Sequence, residues 1–204
     1  MMKLQSIVVF SILCGLQAST VTRADGSVEE GQAKSTPCIA CHGVNGNSSN
    51  PVWPNLADQH KQYIVRQLQA FKSGARQDPL MTPMAMGLSD DDAEDLAAYF
   101  DDQPLTGLEA DPSRAPLGQR VYRGGDPTSG VAACIACHGP GGEGNPTAGY
   151  PSIKGQQSGY VAAQLRAYRA GTRKTDPNQM MRDVARTMSD DKIDAVAAYV
   201  QGMR

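Results

Sequence analysis

Two cysteines three positions apart, followed at once by a histidine, occur twice in the 204-residue sequence, as Cys38-Ile39-Ala40-Cys41-His42 and Cys134-Ile135-Ala136-Cys137-His138. Thiols at this spacing can form thioethers with the two vinyl groups of one porphyrin while the adjacent imidazole reaches the iron from the same short turn, the attachment chemistry of c-type haem. Other chemistries use only parts of the pattern. A zinc site needs four ligands and would have to draw on both pairs, 96 residues apart. A redox dithiol needs the cysteines but no histidine after them. Neither predicts a histidine after both pairs. The expected cofactors are two covalently attached haem c groups, anchored through Cys38, Cys41, Cys134 and Cys137, with His42 and His138 as iron ligands.

The sixth iron position decides between a carrier and an enzyme. A neutral thioether favours ferrous iron and raises the potential, so methionine is the residue to look for. Met81, Met84 and Met86 compete in the first half; Met180, Met181 and Met188 compete in the second. Counting back eight residues from Ser89 reaches Met81 and eight back from Ser189 reaches Met181. Met84 then pairs with Val184 and Met86 with Arg186, which cannot ligate in the same way. Met81 and Met181 are the expected distal ligands, with Met180 a neighbouring rival. Two filled axial positions leave no vacancy for a small substrate, so electron transfer and not catalysis is expected.

The elements that must position these groups are themselves duplicated. The cysteine motifs repeat at an offset of 96; Tyr63, Gln67, Leu68, Gly74 and Arg76 return at 97; Asp78-Pro79 returns at 98; Met81, Ser89-Asp90-Asp91 and Ala97-Ala98-Tyr99 return at 100. The periodicity within each copy is helical. Helices are expected near 27–34, 58–72 and from Ser89, whose hydroxyl can cap a first turn carrying Asp90, Asp91 and Asp92. Their counterparts fall near 117–123, 158–170 and 189–202. Gly74 supplies a stop signal. Long Gly, Pro and Asn-rich loops at 43–54 and 139–151 are unusual unless they wrap something. The expected organisation is a signal peptide at 1–24, a first domain at 25–103, a linker at 104–113 marked by Pro104, Gly107 and Asp111-Pro112, and a second domain at 114–204.

Composition agrees with a folded, exported protein. Hydrophobic residues make up 40% and charged residues 20%, while aromatics at 5% are thin filling for two small cores that an apolar cofactor would complete. Lys3, the apolar run Leu4 to Leu16 and the small residues before Ala24 follow the plan of a secretory signal, with an uncleaved anchor as the alternative and Cys14 a discarded apolar residue. Residues 25–204 carry 17 basic and 21 acidic side chains, which disfavours nucleic-acid binding. Residues 25–103 carry 5 basic against 12 acidic and residues 104–204 carry 12 against 9, so the halves stand at −7 and +3. Solvated helix faces explain most of these charges; a dipole that orients the molecule toward a charged partner is the sharper reading.

Taken together, the two CIACHG motifs, the WPNL and YPSI segments, the paired glutamine-leucine helices, the methionine segments before SDD and the AAYF and AAYV endings resemble the dihaem cytochrome c4 family across essentially the whole mature chain. The resemblance implies an all-α fold of two tandem cytochrome-c-like domains related by a pseudo-twofold axis, with one haem each and propionates facing the interdomain contact. It also implies that the Pro54 and Pro151 carbonyls hold the proximal histidine rings, 12 and 13 residues beyond them. The function it implies is a periplasmic carrier between a quinol-oxidising complex and a terminal oxidase, with redox proteins of the membrane as partners, peripheral contact with the membrane surface, no nucleic acid and no small-molecule substrate. The alternatives are the dihaem subunit of a dehydrogenase such as a sulfide-oxidising flavocytochrome, and a small dihaem peroxidase. Arg76 and Arg173 are candidates to pair with propionates or to complement helix dipoles. His60, which has Gln157 at its aligned place, reads as a surface residue. Tyr63, Tyr160, Tyr99 and Tyr199 read as crevice walls, and Trp53 and Tyr150 as packing.

Overall fold

The computed structural model describes residues 25–204; the expected signal segment at 1–24, with Cys14, lies outside the described residues. Ten α-helices follow one another in the described residues: α1 (Val28–Lys34), α2 (Thr36–His42), α3 (Lys61–Lys72), α4 (Met81–Met86), α5 (Asp90–Asp101), α6 (Ala115–Gly124), α7 (Ile135–His138), α8 (Ser158–Arg169), α9 (Met180–Ala185) and α10 (Asp190–Gln201). Among the described residues there is no strand, only isolated bridges at Asp126–Val131 and Asn145–Tyr150. No helix of these residues is long and apolar enough to cross a membrane.

Local sequence explains the helix ends. Ser89 accepts from the Asp92 backbone N–H at 3.0 Å while the Asp92 carboxylate accepts from the Ser89 N–H at 2.9 Å, a reciprocal cap that satisfies two otherwise unpaired donors. Ser189 caps α10 through the Lys192 N–H. After α3, Gly74 takes φ +75, which a side chain would resist, and the chain leaves the helix there. The start of α3 differs from the sequence expectation: Asp58 stands at φ 56, outside the helical region, and the helix begins only at Lys61. The methionine segments, which lie outside the helices expected from sequence, each close into a short helix. Asp78 Oδ1 accepts from the N–H groups of both Leu80 and Met81 at 2.9 Å, and Asp176 Oδ2 accepts from the Arg182 N–H at the same distance, so the two Asp-Pro aspartates set the first turns.

Each domain is built on one tight helix crossing. A Cβ at Gly31 of α1 would stand 2.0 Å from the Asp95 carbonyl oxygen of α5, and one at Gly118 of α6 would stand 2.0 Å from the Ala195 carbonyl oxygen of α10. Only glycine lets these backbones approach so closely. Around the first crossing lies a core of Ile64, Val65, Leu96, Ala97, Tyr99 and Phe100, with Cys38 packed on its edge. The second core is larger, and Cys134, Ile135, Met181 and Tyr199 pack against it. Tyr99 and Tyr199 stand at the crossings: the Cβ that Gly31 or Gly118 lacks would lie 2.7 Å from theirs.

Candidate haem sites

In the first domain the cysteine motif lies on α2, where Cys38 and Cys41 at i and i+3 and His42 at i+4 share one face. In the second domain Cys134 is the residue before α7, and Cys137 and His138 lie within it. Both motifs end the same way: Gly43 at φ 76 and Gly139 at φ 79 turn the chain away from the histidine. His42 Nδ1 lies 2.9 Å from the Pro54 carbonyl oxygen and His138 Nδ1 3.0 Å from that of Pro151. A carbonyl only accepts, so the ring proton sits on Nδ1 and the Nε2 lone pair is left for a metal. Burial holds both imidazoles below the ordinary histidine value, against the opposing pull of the proline carbonyls, which keeps the rings neutral as a ligand requires.

The extra residue in the second loop does not disturb this geometry. The Asn145–Tyr150 bridge takes up the chain between His138 and Pro151, and the Tyr150 ring stands 6.5 Å from that of His138.

The methionines separate by environment. Met84 and Met86 are 45% and 65% exposed, whereas Met81 is half-buried at the start of α4. In the second domain Met188 is a core residue, Met180 sulfur accepts from the Tyr150 hydroxyl at 3.7 Å, and Met181 packs against the cluster that also holds Cys134 and Ile135. Met81 and Met181, the pair that sequence register matches, are both partly buried, and so is Met180.

Alternative uses of the cysteines fit less well. Burial pushes the Cys38 thiol up and that of Cys134 up to about 11, the opposite of a reactive thiolate. Among the described residues no group of three or more His, Cys, Asp or Glu converges to hold a metal ion, as a zinc site shared by the two pairs would require.

The two domains meet through reciprocal contacts. Gln59 takes both backbone groups of Ser152, donating to its carbonyl at 2.8 Å and accepting from its N–H at 3.1 Å. Gln156 does the same to Asn55, at 2.9 and 2.7 Å. Arg76 donates to Gln67 of its own domain and to Tyr160 and Gln164 of the other; Arg173 donates to Gln164 of its own and to Tyr63 and Gln67 of the other. When residue i contacts j of the other copy and j's counterpart contacts i's, the copies are related by a twofold operation, here a pseudo-twofold. His60, read from sequence as a surface residue, adds a cross-domain contact of its own, its Nε2 lying 2.8 Å from the Glu143 carbonyl oxygen.

This arginine cluster is rich in donors and short of acceptors. Arg76 and Arg173 are 9% and 5% exposed, and every side-chain partner they have is neutral. The buried Nε of Arg173 finds no acceptor among the described residues. Burial would raise the Tyr160 phenol, but the two guanidiniums outweigh it and the net shift is downward, the mark of a positive field. Buried cations without counter-charge are costly, and carboxylate-bearing groups such as haem propionates supply what the cluster lacks. The residues therefore fit haem at three places: thiol pairs, neutral imidazoles and a cationic interdomain cluster. The reciprocal glutamine clamps between the domains were missed by sequence reasoning. Their signal was Gln59 and Gln156 at the repeat offset of 97.

Comparison with known proteins agrees. The cytochrome c family model matches residues 28–103 and again 117–204. Cytochrome c4 of Thiocapsa roseopersicina is 47% identical over 180 residues, covering 87% of this chain and 93% of that protein. A protein of Stutzerimonas stutzeri described as a thiosulfate dehydrogenase electron acceptor is 37% identical, covering 94% of this chain and 90% of its own. The crystal structure of reduced cytochrome c4 from Pseudomonas stutzeri superposes with a TM-score of 0.85 at 42% identity, covering 88% of this chain and all of that one. The chain belongs to the cytochrome c family and, within it, to the dihaem cytochrome c4 proteins, electron carriers and not enzymes, with two covalently attached haem c groups.

Proposed function

We propose that this protein is a periplasmic shuttle passing single electrons from a quinol-oxidising complex to a terminal oxidase, through haems ligated by His42 and Met81 in the first domain and by His138 and Met181 in the second. The haem groups supply the one-electron chemistry; the protein sets their potential, burial and orientation. Cys38, Cys41, Cys134 and Cys137 anchor them covalently. The proposed units are a signal peptide at 1–24, domains at 25–103 and 114–204, and a linker at 104–113. The observation that carries the reading is the matched pair of neutral histidines, each oriented by a proline carbonyl on a helix that ends in the cysteine motif. Arg76 and Arg173 hold the propionates at the domain contact.

Replacing Met81 or Met181 by Ala, one at a time, abolishes one of two iron–sulfur absorption bands and lowers the potential of that haem alone. Survival of both bands at full strength in either variant contradicts the ligand assignment.

A second reading, an acceptor for a soluble dehydrogenase, is favoured by the similarity to the thiosulfate dehydrogenase electron acceptor. Oxidation rates with membranes containing a terminal oxidase, set beside reduction rates with thiosulfate and its dehydrogenase, separate the two. Rapid reduction by thiosulfate with negligible turnover on the quinol route replaces the first reading by the second.

A further inference from the structure

The peptide group that orients each proximal histidine is the same peptide group that the opposite domain grips. Between Pro54 and Asn55, the carbonyl accepts from His42 Nδ1 at 2.9 Å, and the N–H donates to Oε1 of Gln156 in the second domain at 2.7 Å. Between Pro151 and Ser152, the carbonyl accepts from His138 Nδ1 at 3.0 Å, and the N–H donates to Oε1 of Gln59 in the first domain at 3.1 Å. The four residues Asn55, Gln59, Ser152 and Gln156 are 4–7% exposed, so water does not compete for these bonds. Even the secondary contacts match: Gln59 Oε1 also accepts from the His60 N–H, and Gln156 Oε1 from the Gln157 N–H.

A peptide bond is conjugated, so an acceptor on its N–H draws charge toward its oxygen and makes that oxygen a better acceptor. Chained hydrogen bonds strengthen one another by about 10–30% per bond. A stronger pull on the Nδ1 proton makes the imidazole more electron-rich, which favours ferric over ferrous iron at its other nitrogen.

We propose that Gln156 and Gln59 are crossed positioning residues, each lowering the potential of the haem in the opposite domain through one peptide group. The inference rests on the proposed ligation by His42 and His138. The shorter contact at Asn55 makes the first-domain haem the more sensitive of the two.

The test uses the holoprotein carrying Gln156→Met or Gln59→Met, which remove the acceptor at similar volume, with haem-resolved redox titration and the Nδ1 proton resonances of the two histidines in the reduced state. Gln156→Met raises the first-domain potential by roughly three- to tenfold in the ferric/ferrous equilibrium, ~30–60 mV. It moves the His42 resonance upfield and leaves His138 in place. Gln59→Met gives the mirror pattern with the smaller shift. Gln156→Glu and Gln59→Glu keep an acceptor oxygen and return the resonances toward their original positions. Should a methionine variant fail to accumulate, Gln156→Asn and Gln59→Asn withdraw the acceptor by one methylene and predict the same crossed signs. Shifts in both haems together, in the variant's own domain only, or in neither overturn the inference while leaving the ligation reading intact. Absence of the two histidine resonances from the unmodified protein overturns both.

Discussion

The two domains agree at the centre of their contact and diverge where they face solvent. At the contact, Gln59 matches Gln156, Tyr63 matches Tyr160, Gln67 matches Gln164 and Arg76 matches Arg173, each making the counterpart of its mate's bonds. On the outside the likeness fails. The exposed large apolar residues Val28, Val44, Val52, Leu80, Met84 and Met86 all belong to the first domain. Where the first domain exposes Met86 on the methionine segment, the second exposes Arg186, and Arg182 is paired there with Asp176 at 2.8 Å. The acidic excess of residues 25–103 faces a basic excess in 104–204. The twofold likeness thus holds at the domain contact and lapses on the outer surfaces.

The largest way to break the likeness is at a helix crossing. Gly31→Ala puts a methyl against the Asp95 carbonyl and the Tyr99 Cβ, and Gly118→Ala does the same against Ala195 and Tyr199. Each costs its own domain about 3 kcal/mol, the upper end for overpacking, and splits denaturant unfolding into two transitions. Equal losses in both domains would mean that the contact, not the crossing, limits stability.

The arginines sharpen the comparison from the other side, because their cluster is shared. Arg76→Met and Arg173→Met each lower both potentials, by about threefold in the equilibrium or ~30 mV, whereas ligand variants change one haem. A one-haem response would show that the cluster is not common property. The smallest expected effect is electrostatic. Electron exchange with the physiological partner slows as salt rises beyond roughly 0.1 M, where the Debye length falls below about 10 Å. A flat salt response removes the dipole as a steering device.

Much of this was legible in sequence. The attachment chemistry is local, so the residues name it; the Ser89 and Ser189 caps and the Gly74 stop depend on neighbours a few residues away. Met81 could be chosen over Met86 because duplication offers a second register in which the rival is an arginine. The short methionine helices were not legible: six residues are too few for a helical stripe to show, and Pro83 is tolerated in α4 because the first turn of a helix lacks backbone partners for its N–H groups in any case. The crossing glycines escaped because they recur 87 residues apart, outside the register of the other repeats. Gln59 and Gln156 repeat in register, but a glutamine ahead of a helix reads as solvated surface. Only the opposite domain, brought close by the fold, buries them.

The central claim is that each domain holds one haem between a histidine and a methionine. The most direct measurement is the proton spectrum of the reduced holoprotein, with haem content determined on the same sample. Two haems per chain and two sets of strongly upfield-shifted methionine methyl resonances, one lost in Met81→Ala and the other in Met181→Ala, are the predicted result. One haem per chain, or a methionine signal that persists in its own variant, would contradict it.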